Sequence, residues 1–304
     1  MTRSFTVRAP RPEDVEPASE LLNEHSRRLH GTDAQSTEEL RQYWESPDVD
    51  VAQDVLVAEG SDGSLLAYAD LGEWGDHVWI DLRGLDQGPL EAVLETIEDR
   101  AAEKRPGAGL IAHAAEDDRL VRGVLNDAGY GVIHYSFRME IELDGAVPEP
   151  EWPEGVSVRA LGEGEEERMY EAHMESFADT WLFTREPFER WSHWFVKDPS
   201  FDPTLWFFAE SGDELAGILI GRTSPSEPGL GWVRILGVLP KHRRRGIAQA
   251  LLRHSFSEFA RRGFDRAGLG VDAQSPTGAV RVYERVGMHV ARTTIALEKK
   301  AERE

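Results

Sequence analysis

The chain has 304 residues, and 34 Lys and Arg against 56 Asp and Glu give it a net charge of −22 at pH 7. At roughly 150 residues per domain, this length predicts two domains. The acidic balance argues against nucleic acid or anionic lipid as a partner, because phosphate contacts need surplus positive charge. The absence of cysteine excludes disulfides, thiolate nucleophiles and zinc–cysteine sites.

Nothing in the sequence indicates a membrane or an export signal. No apolar stretch approaches ~20 residues, the length that spans a bilayer. The first residues lead directly into proline and acidic residues and lack the apolar core of a signal peptide. We therefore expect a cytoplasmic protein that has no membrane partner.

The two halves of the chain share a pattern. Val7-Arg8-Ala9 opens the first half and Val158-Arg159-Ala160 opens the second, and a candidate acidic, amphipathic helix follows each. An apolar strand ending in Ala-Glu comes next, at Glu59 and at Glu210, again 151 residues apart. A polar turn and another apolar strand complete a hairpin pattern in both halves. This constant order and spacing favour a duplicated domain.

A proline-rich, acidic stretch over 144–156 divides the chain near its midpoint. Proline removes backbone donors and the acidic residues repel one another, so the stretch should be extended. We therefore predict one domain over 1–145, a linker over 146–155 and a second domain over 156–304.

The second half alternates predicted strands and helices. The strands are expected at 156–160, 204–210, 215–223, 230–239, 266–272 and near 289–298. The helices are expected at 163–177, 186–197, 245–262 and 277–286, with apolar residues at helical spacing. The order strand–helix–strand over 230–272 predicts a parallel pair. The fold class is therefore α/β with a mixed sheet.

The segment between strand 230–239 and helix 245–262 is basic and contains Gly246. The start of a helix presents unpaired backbone N–H groups at the positive end of the helix dipole, and Gly246 lets a ligand approach them. A pyrophosphate fits this arrangement. An ordinary solvated helix face is the better interpretation for Arg253, Arg261 and Arg262.

Two motifs in this half resemble those of the GCN5-related N-acetyltransferases (GNAT). Arg243-Arg244-Arg245-Gly246-Ile247-Ala248 fits the family signature Arg/Gln-x-x-Gly-x-Gly/Ala. The segment from Ser275 to Met288 is similar to the second motif, although the family commonly has Asn and Phe at its ends. The strand and helix order extends the resemblance over about 156–300. It implies two tandem GNAT domains, each with a central mixed, splayed sheet flanked by helices.

The resemblance also implies an activity and a cofactor. Family members transfer an acetyl group directly from acetyl-CoA to an amine within a ternary complex, and a small-molecule amine is the expected substrate. The fourth and fifth strands splay apart, so the pantetheine arm would pair with the backbone of Leu236, Gly237 and Val238. The pyrophosphate would lie on Arg243, Arg244, Arg245, Gly246, Ile247 and Ala248.

The implied chemistry needs an oxyanion donor, an acid and a base. The Val238 N–H is the implied oxyanion donor, and Tyr283 is the implied acid for the departing thiolate. Tyr283 and Ser275 are also expected to contact the cofactor. By spacing alone, Tyr283 would be a half-buried helix aromatic. No residue pattern indicates a metal site.

The general base is left open by the sequence. Many family members have a Glu on the fourth strand, where this chain has Gly231-Trp232-Val233-Arg234. Glu175, Asp179 and His193 are the candidates, and a water chain is the alternative. Asp179 and Trp181 are expected to line the acceptor pocket. The aromatic residues Trp191 and Trp194 are equally suited to the core.

The first half is predicted to be a degenerate copy. Its segment 79–90 lacks the signature, and the carboxylates of Asp81 and Asp86 would repel a pyrophosphate. Leu125 stands where the second half has Tyr283. We expect this half to complete the substrate groove or to act as an internal pseudo-dimer partner, so the protein would be a monomer or a homodimer.

Two other functions compete with acetyl transfer. The missing strand carboxylate fits a catalytically inactive acyl-CoA-binding sensor, whereas the presence of Tyr283 argues against it. Nucleic-acid binding through the arginine cluster would show a steep salt dependence.

Overall fold

The computed structural model describes residues 4–143, 145, 147–224, 226–275 and 277–301, except for the side chain of Trp74. Ala146 at the start of the predicted linker and Pro276 in the second motif lie outside the described residues. In the described part, the linker contains neither helix nor strand.

The chain alternates strands and helices. The first part contains β1 (Phe5–Arg8), α1 (Val15–His30), α2 (Thr37–Trp44), α3 (Val51–Asp54), β2 (Val55–Gly60), β3 (Leu65–Trp74), β4 (His77–Gly84), α4 (Gln87–Lys104), β5 (Gly109–Ala115), α5 (Arg119–Asp127) and β6 (Gly131–Glu142). The second part contains β7 (Val156–Ala160), α6 (Glu166–Phe177), α7 (Phe188–Phe195), β8 (Trp206–Ser211), β9 (Glu214–Thr223), β10 (Leu230–Val238), α8 (Ile247–Arg261), β11 (Arg266–Asp272), α9 (Ala279–Arg285) and β12 (His289–Lys299). The predicted elements of the second half match these within a few residues.

Contacts divide the chain into two compact units. Unit 1 contains residues up to Tyr135 and the segment from Thr293 onward, and unit 2 contains Ser136–Arg292. In unit 1 the strand order is β1-β2-β3-β4-β5-β12, and in unit 2 it is β7-β8-β9-β10-β11-β6. Each unit therefore uses one strand segment from the other half of the sequence. The division into domains at the linker stays a prediction.

Both units have a mixed sheet with an apolar core. Neighbouring strands are antiparallel except for β4–β5 in unit 1 and β10–β11 in unit 2, which are parallel. In unit 1, α4 packs against one group of buried strand residues, and α1 and α2 pack against another. In unit 2, α6, α7 and α8 contribute to one large core, in which the Trp191 ring is fully buried and stacks on Phe195 at 4.8 Å. Trp191 thus belongs to the core of unit 2.

The sheet of unit 2 opens between β10 and β11. The two strands pair only over Leu230–Val233 and Arg266–Leu269. A bulge in β10 follows Val233, and beyond it β10 stays paired with β9. From Gly270 onward, β11 stays paired with β6. The strands therefore separate and leave a gap beside Ile235–Val238. The predicted α/β fold with a mixed, splayed sheet is confirmed.

Gly237 lets α6 pack directly on β10. A Cβ atom at this position would lie 2.2 Å from Ser176 Oγ and 2.8 Å from Ser176 Cβ. We expect Gly237→Ala to lower the free energy of unfolding by about 1–3 kcal/mol, because the extra atom overpacks a tight contact. Urea unfolding measures this loss, and a second change, Ser176→Gly, should recover much of it. A single variant as stable as the wild type would contradict the tight packing.

Candidate active site

A short loop with free backbone donors follows β10. It comprises Leu239, a single 3-10 turn over Pro240–His242, and the segment 243–246, after which α8 begins. Arg244 and Gly246 adopt left-handed conformations, with φ of 63° and 89°. Among the described residues, the backbone N–H groups of 244–249 have no hydrogen-bond partner. Such donors at the positive end of a helix suit a phosphate group.

The space in front of the loop is open. A Cβ atom on Gly246 would meet only Pro153 Cγ, at 3.9 Å, and Arg244, Arg245 and Gly246 are exposed. Beyond Gly246, Ile247 turns into the core and Ala248 is half-buried, so the first turn of α8 presents little side chain. These residues therefore fit the diphosphate of coenzyme A.

The Arg243 side chain anchors the loop to the protein. It donates to Val238 O (3.2 Å) and to Ser176 O (3.0 Å), and it forms an ion pair with Asp179. The hydrogen bonds from Arg243 lower the pKa of the Asp179 carboxyl. Asp179 is consequently a poor acceptor for a proton at neutral pH. Its carboxylate instead pairs with the Arg243 side chain of the loop. Most donors of the Arg243 guanidinium are therefore engaged within the protein.

Two residues of β10 direct their backbone N–H groups into the gap. Leu239 N–H donates to Ala216 O on the β9 side, at 3.0 Å. Because successive residues of an antiparallel strand direct their N–H groups to opposite sides, Val238 and Leu236 direct theirs away from β9 and into the gap. The Val238 N–H is therefore placed to donate to a group bound there.

Tyr283 lies on α9, which packs beside α8 and β11. Its side chain is buried, with 7% of its surface exposed, and burial raises its pKa to about 12. The hydroxyl makes no hydrogen bond to any described residue, so its proton is not engaged by the protein. Ser275, in the loop before α9, hydrogen-bonds Thr277 through their hydroxyl groups at 2.9 Å.

The remaining predicted residues are spread over the segment from α6 to α7. Glu175 is exposed on α6 between buried Met174 and Ser176, so it faces solvent. Trp181 is half-buried in the connection to α7. His193 is half-buried on α7, and its Nε2 atom is buried without a hydrogen-bond partner among the described residues. Of the base candidates, only His193 thus has a buried side-chain atom without a hydrogen-bond partner among the described residues.

Arg234 is a functional candidate that the sequence analysis did not select. It donates to Trp194 O (2.6 Å) and to Asp198 (3.1 Å), and its guanidinium lies over the Phe195 ring at 4.0 Å. Burial, together with Arg222, lowers its pKa to about 10, so it is still cationic at pH 7. The sequence does contain a signal for Arg234, because it is the one charged residue within the apolar strand LGWVRILGV.

His173 on α6 was also missed, because no motif surrounds it. Its buried ring accepts a hydrogen bond at Nδ1 from Trp191 Nε1, at 3.0 Å. Burial, with Arg234 nearby, lowers its pKa to about 4. The imidazole is therefore neutral at pH 7, with its proton on Nε2.

The low pKa of His173 links stability to pH. The folded protein resists protonation of His173, whereas the unfolded chain binds the proton near pH 6.5, so this stabilisation is lost as pH falls from about 6.5 towards 4. His173→Asn keeps the acceptor for Trp191 but does not titrate. Between pH 7 and pH 4.5, we therefore expect this variant to lose about 2–3 kcal/mol less free energy of unfolding than the wild type loses. Urea unfolding of both proteins at the two pH values measures the difference. Equal pH dependence in both proteins would exclude this role.

The basic segment is largely paired with acidic side chains. Arg253 lies 3.4 Å from Glu151, and Arg261 and Arg262 both contact Glu258. Arg253, Arg261 and Arg262 therefore pair with carboxylates of the protein. In the described part of the chain, no helix has the length and apolar character to cross a membrane, and no cluster of three or more metal-ligating side chains occurs.

Comparison with known proteins gives a family match, related sequences and similar structures. The profile of the Acetyltransferase (GNAT) family matches residues 166–288. A mycothiol acetyltransferase of Thermobispora bispora is 30% identical over 253 residues, which are 78% of this chain and 80% of that protein. The GCN5-related N-acetyltransferase of Sphaerobacter thermophilus, at 29% identity, superposes with a TM-score of 0.79 over 97% of this chain and 95% of its own. A tandem GNAT protein from the clavulanic acid biosynthesis pathway shares the fold, with a TM-score of 0.73 and 13% identity over 99% of this chain and 100% of its own.

Proposed function

The chain belongs to the GCN5-related N-acetyltransferase family, and on this basis we propose that unit 2 transfers the acetyl group of acetyl-CoA directly to a primary amine of a small molecule. The observation that carries the proposal is the loop after β10. Its N–H groups over 244–249 have no hydrogen-bond partner among the described residues, and the loop lies at the end of the strand that borders the gap in the sheet. A diphosphate bound at this loop would direct the rest of the cofactor along β10.

Backbone groups would hold the cofactor in this arrangement. The residues proposed to bind its diphosphate are Arg243, Arg244, Arg245, Gly246, Ile247 and Ala248. The backbone of Leu236, Gly237 and Val238 would pair with the pantetheine arm in the gap, and Ser275 would contact the cofactor from the loop before α9. When bound, acetyl-CoA supplies an activated thioester carbonyl.

Two groups of the chain would then serve the reaction. The Val238 N–H would donate a hydrogen bond to the carbonyl oxygen of the thioester, on which negative charge develops during the reaction. The Tyr283 hydroxyl holds its proton at neutral pH and gives it to the departing sulfur. Neither group has a hydrogen-bond partner among the residues that the structure describes, which suits both to contacts made only when the substrates are present.

The proton of the amine would leave through water. Asp179 is paired with Arg243 and Glu175 faces solvent, so neither carboxylate suits a base. An amine bound near Arg234 would have its pKa lowered by the positive charge, and more of it would be neutral and ready to attack. His193 Nε2, which is buried and has no partner among the described residues, is the protein group proposed to receive the proton from the water chain.

The acceptor is proposed to be a small amine, bound next to Trp181. Because one relative is named a mycothiol acetyltransferase, mycothiol-related amines are the first acceptors to test. We further propose a cytoplasmic protein that acts as a monomer or a homodimer, without nucleic-acid or membrane partners. The first half would serve as its degenerate, internal pseudo-dimer partner.

A thiol-release assay with acetyl-CoA and an amine library tests the enzyme proposal. Calorimetry with acetyl-CoA alone measures the binding step separately. We expect release of coenzyme A to accelerate with particular amines and to depend on Tyr283. Tight acetyl-CoA binding without turnover of any amine would instead support the acyl-CoA sensor, and the absence of binding would reject both.

A further inference from the structure

Arg234 lies at the point where the sheet of unit 2 opens. The pairing of β10 with β11 ends at Val233 and Leu269, and Arg234 follows at the bulge of β10. On β11, Gly270 is the first residue beyond the pairing. In the proposed function the diphosphate of acetyl-CoA binds beyond Val238, so the acetyl end of the cofactor would extend back along β10. The acceptor would then meet the thioester on the side of Arg234.

Arg234 shares one face of the sheet with Trp232. Trp232 is directly opposite Arg222 on β9, and opposite residues of an antiparallel pair project to the same face. Arg222 and Arg234 both reach the Oδ2 atom of Asp198, at 3.5 Å and 3.1 Å. The side chains of these two arginines and of Trp232 therefore lie on the same face.

This face has open space beside Arg234. A Cβ atom on Gly268 would lie 2.9 Å from the Trp232 ring, so Gly268 points to the face that carries Trp232. Gly270, two residues further along β11, points to the same face. It is exposed, and an added Cβ atom would have no neighbour within 4 Å. A ligand therefore has room next to the Arg234 side chain.

One edge of the Arg234 guanidinium is anchored and the other is available. Nη1 donates to Trp194 O and to Asp198, and the guanidinium lies over the Phe195 ring at 4.0 Å. Nε and Nη2 make no hydrogen bond to a described residue, and the side chain is 25% exposed. These two nitrogens form the edge of an arginine that binds both oxygens of a carboxylate through parallel N–H groups. The anchored contacts hold this edge in one orientation.

The neighbouring carboxylates are shared with other groups. Asp198 accepts from two arginines through Oδ2, and its Oδ1 atom accepts from the backbone N–H and the hydroxyl of Ser200. Glu186 also acts on the charge of Arg234, but it lies 3.5 Å from Arg190. Neither carboxylate therefore serves Arg234 alone, which favours an anionic ligand at its available edge.

We infer that the acceptor carries a carboxylate in addition to its primary amine, and that Arg234 binds this carboxylate through Nε and Nη2. The inference rests on the proposed function of unit 2. Arg234 is four residues from Val238, about 13 Å along an extended strand. An acceptor that reaches both the carboxylate site and the thioester therefore has several bonds between its carboxylate and its amine. The charge of Arg234 also offsets that of the carboxylate, which would otherwise hold the amine proton more tightly.

Acceptors that differ only in charge test this specificity. The thiol-release assay compares 6-aminohexanoate with 6-aminohexanamide, and glycine with glycinamide, at saturating acetyl-CoA. We expect kcat/KM for 6-aminohexanoate to exceed that for its amide by about tenfold or more, and glycine to be a poorer acceptor than 6-aminohexanoate. Arg234→Gln should remove the preference for the acid. The ratio between acid and amide cancels any loss that affects both acceptors.

Two further variants separate binding of the carboxylate from structure. Arg234→Lys keeps the charge but not the planar edge, so it should retain only part of the preference. Arg262→Gln is the matched control, because Arg262 is also half-buried and pairs with an aspartate, Asp202, at 2.6 Å, but lies at the far end of α8 from the loop. It should keep the preference of the wild type.

Nuclear magnetic resonance tests the carboxylate site without turnover. Full-length protein labelled with 15N at arginine Nε is titrated with hexanoate and with hexanamide, in the presence of coenzyme A and at constant ionic strength. We expect hexanoate alone to shift one Nε–H signal saturably, and this signal should be missing in Arg234→Lys. Such binding without turnover of any amine would reject the proposed enzyme but support the carboxylate site.

Three results would overturn the inference. The first is the absence of a saturable shift of the Arg234 signal, or an equal shift with hexanamide. The second is equal turnover of acid and amide by the wild type. The third is a preference for the acid that persists in Arg234→Gln.

Discussion

Replacing Gly246 with Glu should abolish acetyl-CoA binding. Gly246 has a φ of 89° at the start of α8, and the space beside it is open towards the N–H groups of the loop. The new side chain would enter that space, and its charge would repel a diphosphate. A left-handed conformation also costs a non-glycine residue roughly 1–2 kcal/mol. We expect at least about 100-fold weaker binding, equivalent to about 3 kcal/mol, in calorimetric titration.

Gly263 provides a matched control for this change. It follows α8 at the other end of the helix, has a φ of 84°, and has no atom within 4 Å of an added Cβ. Gly263→Glu therefore introduces the same charge and a similar backbone strain away from the loop, and it should bind acetyl-CoA as the wild type does. If Gly246→Glu retained wild-type affinity, the loop would not be the diphosphate site.

Tyr283→Phe should lower kcat by about 100- to 1,000-fold, the range expected for loss of a general acid. The hydroxyl has no hydrogen-bond partner in the part of the chain that the structure describes, so its removal should leave stability and the Kd for acetyl-CoA nearly unchanged. Steady-state kinetics with the best acceptor, together with calorimetry, measures the two effects separately. Burial raises the pKa of Tyr283 to about 12, so kcat should not fall through its ionisation below about pH 10.

Tyr130 offers the comparison for this experiment. It is buried in unit 1, where its hydroxyl interacts with Glu98. Tyr130→Phe should turn over as the wild type does. Turnover of Tyr283→Phe at the wild-type rate would exclude Tyr283 as the proton donor and would favour water in that role.

Local patterns were sufficient to predict the elements and the loop. The strand 230–239, the glycine at 246 and the helix after it follow from propensity and spacing, which depend on neighbours in sequence. The gap beside β10 followed from the family resemblance, and the register of β10 and β11 bears it out. The function proposed for the Val238 backbone rests on the same resemblance and stays a prediction.

Contacts between distant residues were not predictable in this way. Asp179 was expected in the acceptor pocket, yet it pairs with Arg243, 64 residues further along the chain. The hydrogen bond between His173 and Trp191 joins two helices, and the opposition of Asp70 and Asp81 depends on strand register. No local signal encodes such pairs, because tertiary packing decides which charged groups meet.

Each unit contains a strand segment from the other half of the sequence, and this affects how the chain folds during its synthesis. Unit 1 contains Thr294–Lys299 of β12, paired with β5. A ribosome synthesises each residue of β5 between 179 and 189 residues before its partner, since Ala115 pairs with Thr294 and Leu110 with Lys299. Throughout that interval the edge of β5 lacks the strand that covers it in the finished protein, and exposed edges invite pairing with other chains. Folding of the amino-terminal half therefore ends only after the carboxyl-terminal half has been synthesised, and neither half can be expressed alone with a complete sheet.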